Sequence, residues 1–190
     1  MSKRSSPTRT SRPKSLPTSA RTSAREGVTE GVVRTAVFDA SGKYRYHLTR
    51  RWTTGRGHVV FVLLNPSTAD EHREDPTVRR CMGYARRWGA RELRVVNIFA
   101  YRATKPADML AVADPVGPEN DEAIRNACKR ASRVVFGWGA HGAHLHRSAD
   151  VVRLLKNRHP HCLGVTALGE PRHPLYLRAD AEPVPFMPMV

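Results

Sequence analysis

Between residues 58 and 166 the chain alternates apolar runs of strand length with stretches of helical spacing, and this alternation limits the fold more than any other feature. Residues 58–64 (His-Val-Val-Phe-Val-Leu-Leu) are a continuous run of the kind buried on both faces of a sheet. Pro76 suits the first turn of a helix, and Val78, Cys81, Met82, Ala85 and Trp88 follow at helical spacing until Gly89 stops it. Further strands are predicted at residues 93–99, 133–137 and 162–166, and helices at 106–112, 119–131 and 144–157. Residues 35–52 read as a hairpin around Ala40-Ser41-Gly42. The expectation is an α/β protein: a three-layer α/β/α domain on a central four-stranded parallel sheet, preceded by an N-terminal hairpin. A single domain over residues 28–190 accommodates it.

Charge adds the first hint of function. With 32 Lys and Arg against 17 Asp and Glu, the formal net charge of +15 favours a polyanionic partner, nucleic acid before membrane. Residues 1–27 hold seven of the basic side chains and one acid among Ser, Thr and Pro, a composition expected of a disordered basic arm. The arm reads as nucleic-acid-contacting or as a plain solvated tail; it is Arg- and Ser-rich like a transit peptide but lacks amphipathic periodicity. Residues 43–57 interleave Arg45, Arg50 and Arg51 with Tyr44, Tyr46 and Trp52, which suits either a backbone-tracking surface or an ordinary two-faced hairpin. No run approaches the roughly 18 apolar residues of a membrane span. Three scattered cysteines imply a reducing compartment and cannot ligate a standard iron–sulfur cluster.

In a parallel sheet, ligands bind beyond the carboxyl ends of the strands. The candidates are therefore Asn65, Pro66, Ser67 and Asp70 after the first strand, and Asn97, Tyr101, Arg102 and Thr104 at the second. Trp138, Gly139 and His141 follow the third, and Arg172 and His173 the fourth. Neither a Walker loop nor a G-x-G-x-x-G turn is present, which argues against phosphoryl transfer and dinucleotide redox chemistry. His141, His144 and His146 would not share one helical face, so no metal site is expected. A backbone-rich Asn-Pro-Ser loop, an amide and a Pro-flanked histidine suit attack by water with stabilisation of an anionic leaving group. N-glycosidic hydrolysis is such a reaction, although each residue taken singly also fits a structural role.

Three blocks carry a family resemblance: residues 61–70 (Phe-Val-Leu-Leu-Asn-Pro-Ser-Thr-Ala-Asp), residues 95–104 (Val-Val-Asn-Ile-Phe-Ala-Tyr-Arg-Ala-Thr) and residues 169–176 (Gly-Glu-Pro-Arg-His-Pro-Leu-Tyr). In order and in their strand-end positions they resemble the uracil-DNA glycosylase superfamily, in particular an outlying branch long known only as a domain of unknown function. The resemblance implies a uracil-DNA glycosylase-like fold and a cofactor-independent DNA glycosylase. Asn65 would position the water, Asn97 would contact the extruded base and His173 would stabilise its anionic form. Phe99 or Tyr101 would stack on the base, and Asp70 would replace or assist Asn65, unless it pairs with Arg79 or Arg80. Leu63 stands where the superfamily often has Gly, and Leu175 follows Pro174 where Ser is usual, so a bulky or hypermodified base, such as those of phage DNA, is expected rather than uracil.

The expectation is thus a monomeric enzyme of the cytoplasm, associated with the nucleoid, that leaves an abasic site in DNA, with a role in defence against phages. Two rivals stand beside it: a non-catalytic nucleic-acid-binding module on the same fold, and a hydrolase or transferase of free nucleosides.

Overall fold

The structure is a computed structural model that describes residues 22–29 and 31–188. Eight strands form one mixed sheet: β1 (Ser23–Thr29), β2 (Val32–Phe38), β3 (Arg45–Arg51), β4 (His58–Leu63), β5 (Glu92–Asn97), β6 (Arg133–Gly137), β7 (His161–Cys162) and β8 (Val184–Pro185). The helices are α1 (Pro76–Arg87), α2 (Pro106–Leu110), α3 (Asn120–Cys128) and α4 (Arg147–Leu154). The strand order is β1-β2-β3-β5-β4-β6-β7-β8.

This corrects the expected central four-stranded parallel sheet in a three-layer α/β/α arrangement. Of the seven pairings among described residues, only β5–β4, β4–β6 and β6–β7 are parallel; the other four are antiparallel. The hairpin is not a preface to the sheet but part of it. Strand β3 pairs with β5 from Leu48↔Val95 to Arg51↔Glu92, which satisfies an edge that would otherwise present bare N–H and C=O groups. Strand β1 lengthens this side, and takes up residues 23–27 of the predicted arm; residues 1–21 of that arm lie outside the described residues. The fourth predicted strand shrinks to β7, because Val165 turns away to bridge Pro171.

Burial explains the middle of the sheet. Val59 to Leu63 of β4 are all buried, with alternate residues packing into different clusters on the two faces. On one face Phe61 stacks with Tyr84 and Trp88 of the α1 segment at 6.1 and 6.0 Å between ring centroids. On the other face Val60, Val62 and Phe136 pack with Ile124 of α3 and Val151 of α4. Helix α1 begins where Asp75 accepts the Val78 N–H at 2.7 Å, with Pro76 behind it, and stops before Gly89 at φ +72°. No helix among the described residues is long and apolar enough to cross a membrane.

Two arginines of β3 tie the sheet to the loop after β4. Arg50 is fully buried and pairs with Glu74 at 2.8 Å, while also donating to the carbonyls of Asp70 and Arg73. Arg45 donates to the carbonyl of Ala69 at 2.6 Å. Together they pin residues 69–74 against the strand, an unusual use of buried cations that holds this loop in one shape.

Candidate active site

At the carboxyl ends of β4, β5 and β6 lies a cavity of about 680 Å³. Asn65, Ser67, Asn97, Trp138, Arg172 and His173 all line it, as do Thr104, Gly139 and His141. Three blocks separated by as much as a hundred residues of chain thus converge on one hollow, as the strand-end rule expects.

Asn65, Asn97 and His173 are each held by hydrogen bonds. Asn65 Nδ2 donates to the carbonyls of Pro66 (3.1 Å) and Ala103 (2.8 Å), so Oδ1 is the atom left to accept a hydrogen bond. Asn97 is buried, and its Oδ1 accepts from Arg45 Nη2 at 3.3 Å. Asn120, at the start of α3, donates to the Asn97 and Ile98 carbonyls at 3.0 and 2.9 Å, fixing the end of β5. His173 Nδ1 accepts from the Leu175 N–H at 3.4 Å, which leaves the ring proton on Nε2. Burial pushes its pKa below the ordinary imidazole value, against a smaller opposing pull from Asp75, so the ring is neutral at pH 7. A neutral imidazole that donates from Nε2 is a competent electrophile.

The loop that carries His173 lies directly on the strand ends. Gly139 N–H donates to the Pro171 carbonyl at 2.8 Å, and Arg172 N–H to the Gly164 carbonyl at 2.9 Å. A Cβ on Gly137 would sit 2.9 Å from Pro174 Cδ, so only glycine at the end of β6 lets the loop approach this closely. Trp138 is buried on the cavity wall, its indole N–H donating to Glu170, whose other oxygen accepts from Ser148 at 2.9 Å. Tyr176, 76% exposed, stands at the mouth with its ring centroid 5.6 Å from that of His173.

Other expected residues lie elsewhere. Pro66 is buried beside the cavity and contributes its carbonyl, which accepts from both Asn65 and the Ala103 N–H. Phe99 is core, packed with Val62 and Ile98 and tilted on His144 at 5.8 Å. Tyr101 meets Tyr44 edge-on at 5.9 Å, and Arg102 covers the Phe38 ring at 4.9 Å; neither lines the cavity. Asp70 Oδ1 accepts the backbone N–H groups of His72 and Arg73 at 2.8 and 2.7 Å, which closes a turn away from the cavity. Its burial opposes ionisation, but those two N–H groups outweigh it and hold its pKa below the usual carboxylate value. Neither expected arginine is its partner: Arg79 donates to the Glu74 carbonyl and Arg80 to that of Leu177.

Two charged lining residues were not expected at the cavity: Asp75, which the sequence did not single out, and Arg45, which it placed in the basic and aromatic hairpin. Asp75 is the one carboxylate among the described residues that line the cavity, and Arg45 is a buried guanidinium there, its pKa pushed down to about 10 by burial but still cationic at pH 7. The Asp-Pro pair advertised only a helix cap, and Arg45 could be assigned only with the β3–β5 pairing known. Among the described residues no group of His, Cys, Asp and Glu could hold a metal ion. Cys81, Cys128 and Cys162 are buried free thiols, remote from this chemistry.

A second hollow, of about 780 Å³, lies between β2, β3 and α3, lined by Tyr46, His47, Arg94, Glu119, Glu122 and Asn126 among others. Burial, reinforced by Arg94, pushes the His47 pKa down to about 4.

A search of curated proteins and one of solved structures returned no match to the chain. One family does match, over residues 45–175, a span that contains every cavity-lining residue except Tyr176. That span is well over half of the chain, and the chain belongs to the DUF1643 family, described as a protein of unknown function.

Proposed function

We propose that the protein is a DNA glycosylase that hydrolyses the N-glycosidic bond of a modified base and leaves an abasic site. The observation that carries this reading is the convergence of Asn65, Asn97 and His173, each oriented by its own hydrogen bonds, on one cavity with a single carboxylate. In the proposed reaction Asn65 Oδ1 accepts a hydrogen bond from the attacking water, and Asp75 takes the proton as the water oxygen bonds to C1′. The C1′–N bond breaks and its electron pair leaves on the base. Nε2–H of neutral His173 donates to the charge that builds there, before the base is protonated by solvent. Asn97 contacts the extruded base, and Tyr176 at the mouth offers a surface for an unstacked neighbour.

The formal charge of +15 supports DNA over a free nucleoside, since a small substrate has no use for it. In this reading the enzyme works where DNA is exposed to it, in the cytoplasm, and hypermodified phage DNA is the substrate class to try first. The test is single-turnover excision on a panel of modified oligonucleotides at saturating protein, with alkaline cleavage of abasic sites as readout. Excision of at least one base by the wild type, reduced about 10²–10³-fold in folded Asn65→Ala and His173→Ala, is the expected result. Near wild-type rates in both variants would dismiss the assignment.

A further inference from the structure

Helix α1 carries Arg79, Arg80, Arg86 and Arg87 and no acidic residue, and these arginines are not used alike. Arg86 lies over the Trp52 ring, and Arg87 is taken up by the Ala179 and Ala181 carbonyls and by Glu182. Arg79 and Arg80 instead line an open groove of about 380 Å³ between α1 and residues 175–179. Each is anchored through one nitrogen, on the Glu74 and Leu177 carbonyls, and keeps its other donors for a ligand. No carboxylate lines this groove among the described residues, and Asp180 and Glu182 just beyond it are paired with Arg178 and Arg87. Pro76 and Leu175 line both the groove and the cavity, so the two are continuous. Gly83 also lines the groove. Glycine inside a helix lowers its stability, and a Cβ there would meet nothing within 4 Å, so packing does not call for it.

We propose that this groove seats the phosphodiester backbone of the DNA strand beside the nucleotide that enters the cavity, with Arg79 and Arg80 bonding its phosphate oxygens. For what enters the cavity, this rests on the base-excision reading above. A guanidinium held by one nitrogen presents its remaining donors in a fixed plane, which suits the paired oxygens of a phosphate. A phosphate placed there releases its counterions and meets no opposing charge from the groove wall. The missing Cβ at Gly83 lets a second backbone lie close against the helix. A strand, unlike a lipid headgroup, makes use of a groove that runs on into a cavity.

Affinity for unmodified DNA tests this without any need for excision. The probe is a fluorescent single-stranded oligonucleotide, titrated with the full chain at several salt concentrations. The double variant Arg79→Gln, Arg80→Gln keeps a side-chain donor for each anchoring carbonyl but loses both charges. It should bind about tenfold more weakly, with the slope of log affinity against log salt shallower by about 1–2. Arg86→Gln removes a charge from the same helix outside the groove, and should change the slope much less. Gly83→Leu should raise the melting temperature, because leucine favours helix and has open space there, and yet weaken binding about tenfold. An unchanged slope in the double variant, an equal loss in Arg86→Gln, or full affinity in Gly83→Leu would overturn the inference. So would a double variant that loses binding to anionic phospholipid vesicles while its DNA affinity stays intact. Groove-dependent affinity in a protein that excises no base upholds the inference and removes the glycosylase reading; excision by a protein whose DNA affinity ignores these variants does the opposite.

Discussion

Two hollows of this molecule are alike in size, about 680 and 780 Å³, and unlike in how they are built. The first gathers side chains from the ends of β4, β5 and β6 and from the loop at residue 173, and Arg45, Asn65, Asp75 and His173 in it are each restrained by a hydrogen bond to backbone. The second is a space between a sheet face and the flank of α3. There Arg94 is paired with Glu92 at 2.5 Å and Asn126 with Glu122 along the helix. Volume alone does not distinguish a reactive site. What distinguishes it is preorganisation of groups that come from different parts of the chain.

The largest effect should come from Asp75→Asn, which keeps the helix cap but removes the carboxylate. Excision is expected to fall by about 10²–10⁴-fold with the melting temperature little changed. Glu122→Gln, in the second hollow, should leave the rate where it was. A comparable loss in both variants would erase the distinction between the hollows. The next prediction concerns what holds the first one. Arg50→Leu leaves Glu74 only its longer pair with Arg34 at 3.6 Å and releases the Asp70 and Arg73 carbonyls, so it should cost about 3 kcal/mol in chemical denaturation. A variant as stable as the wild type would show that the loop needs no anchor.

The second hollow should declare itself in stability instead. His47 binds its proton near pH 4 when folded and near the ordinary 6.5 when unfolded. Between those values the unfolded chain holds more protons, so stability is full above pH 6.5 and is lost as pH falls toward 4. The loss is at most about 3 kcal/mol, and His47→Gln should flatten that part of the stability profile. An unchanged slope would mean that His47 is not the group responsible. Smallest is Tyr176→Ala at the mouth, expected to weaken DNA binding by about 1–3 kcal/mol without changing excision from the bound complex. Titration of fluorescent DNA at fixed salt would check it, and undiminished affinity would remove Tyr176 from the interface.

Much of the local structure was legible in the sequence. The apolar runs mark β4 and β6, Pro76 opens α1, and Asn65, Ser67, Asn97, Trp138, Arg172 and His173 reach the cavity. These signals are short-range: periodicity, a proline, a polar residue after a strand. Pairing is not, and here the reading failed. The polar stretch of β1 is exposed at nearly every residue, so nothing in its pattern separates it from the tail before it. Nor does β3 announce that its neighbour is β5, and Arg45 follows from that neighbour alone. Phe99 missed the cavity because the chain past β5 bends into the α3–α4 core, where an aromatic ring finds more contacts than at a wet edge. Asp70 missed it because two backbone N–H groups nearby satisfy a carboxylate at no distance cost.

The placement of Trp138 has a practical consequence. Of the three tryptophans, Trp52 and Trp88 pack on the far face of the sheet, while Trp138 forms part of the cavity wall. The protein therefore carries its own optical gauge. A base entering the cavity would change the surroundings of one indole and leave the other two as an internal standard. Occupancy could thus be followed from intrinsic emission, with no dye on the nucleic acid and no turnover required.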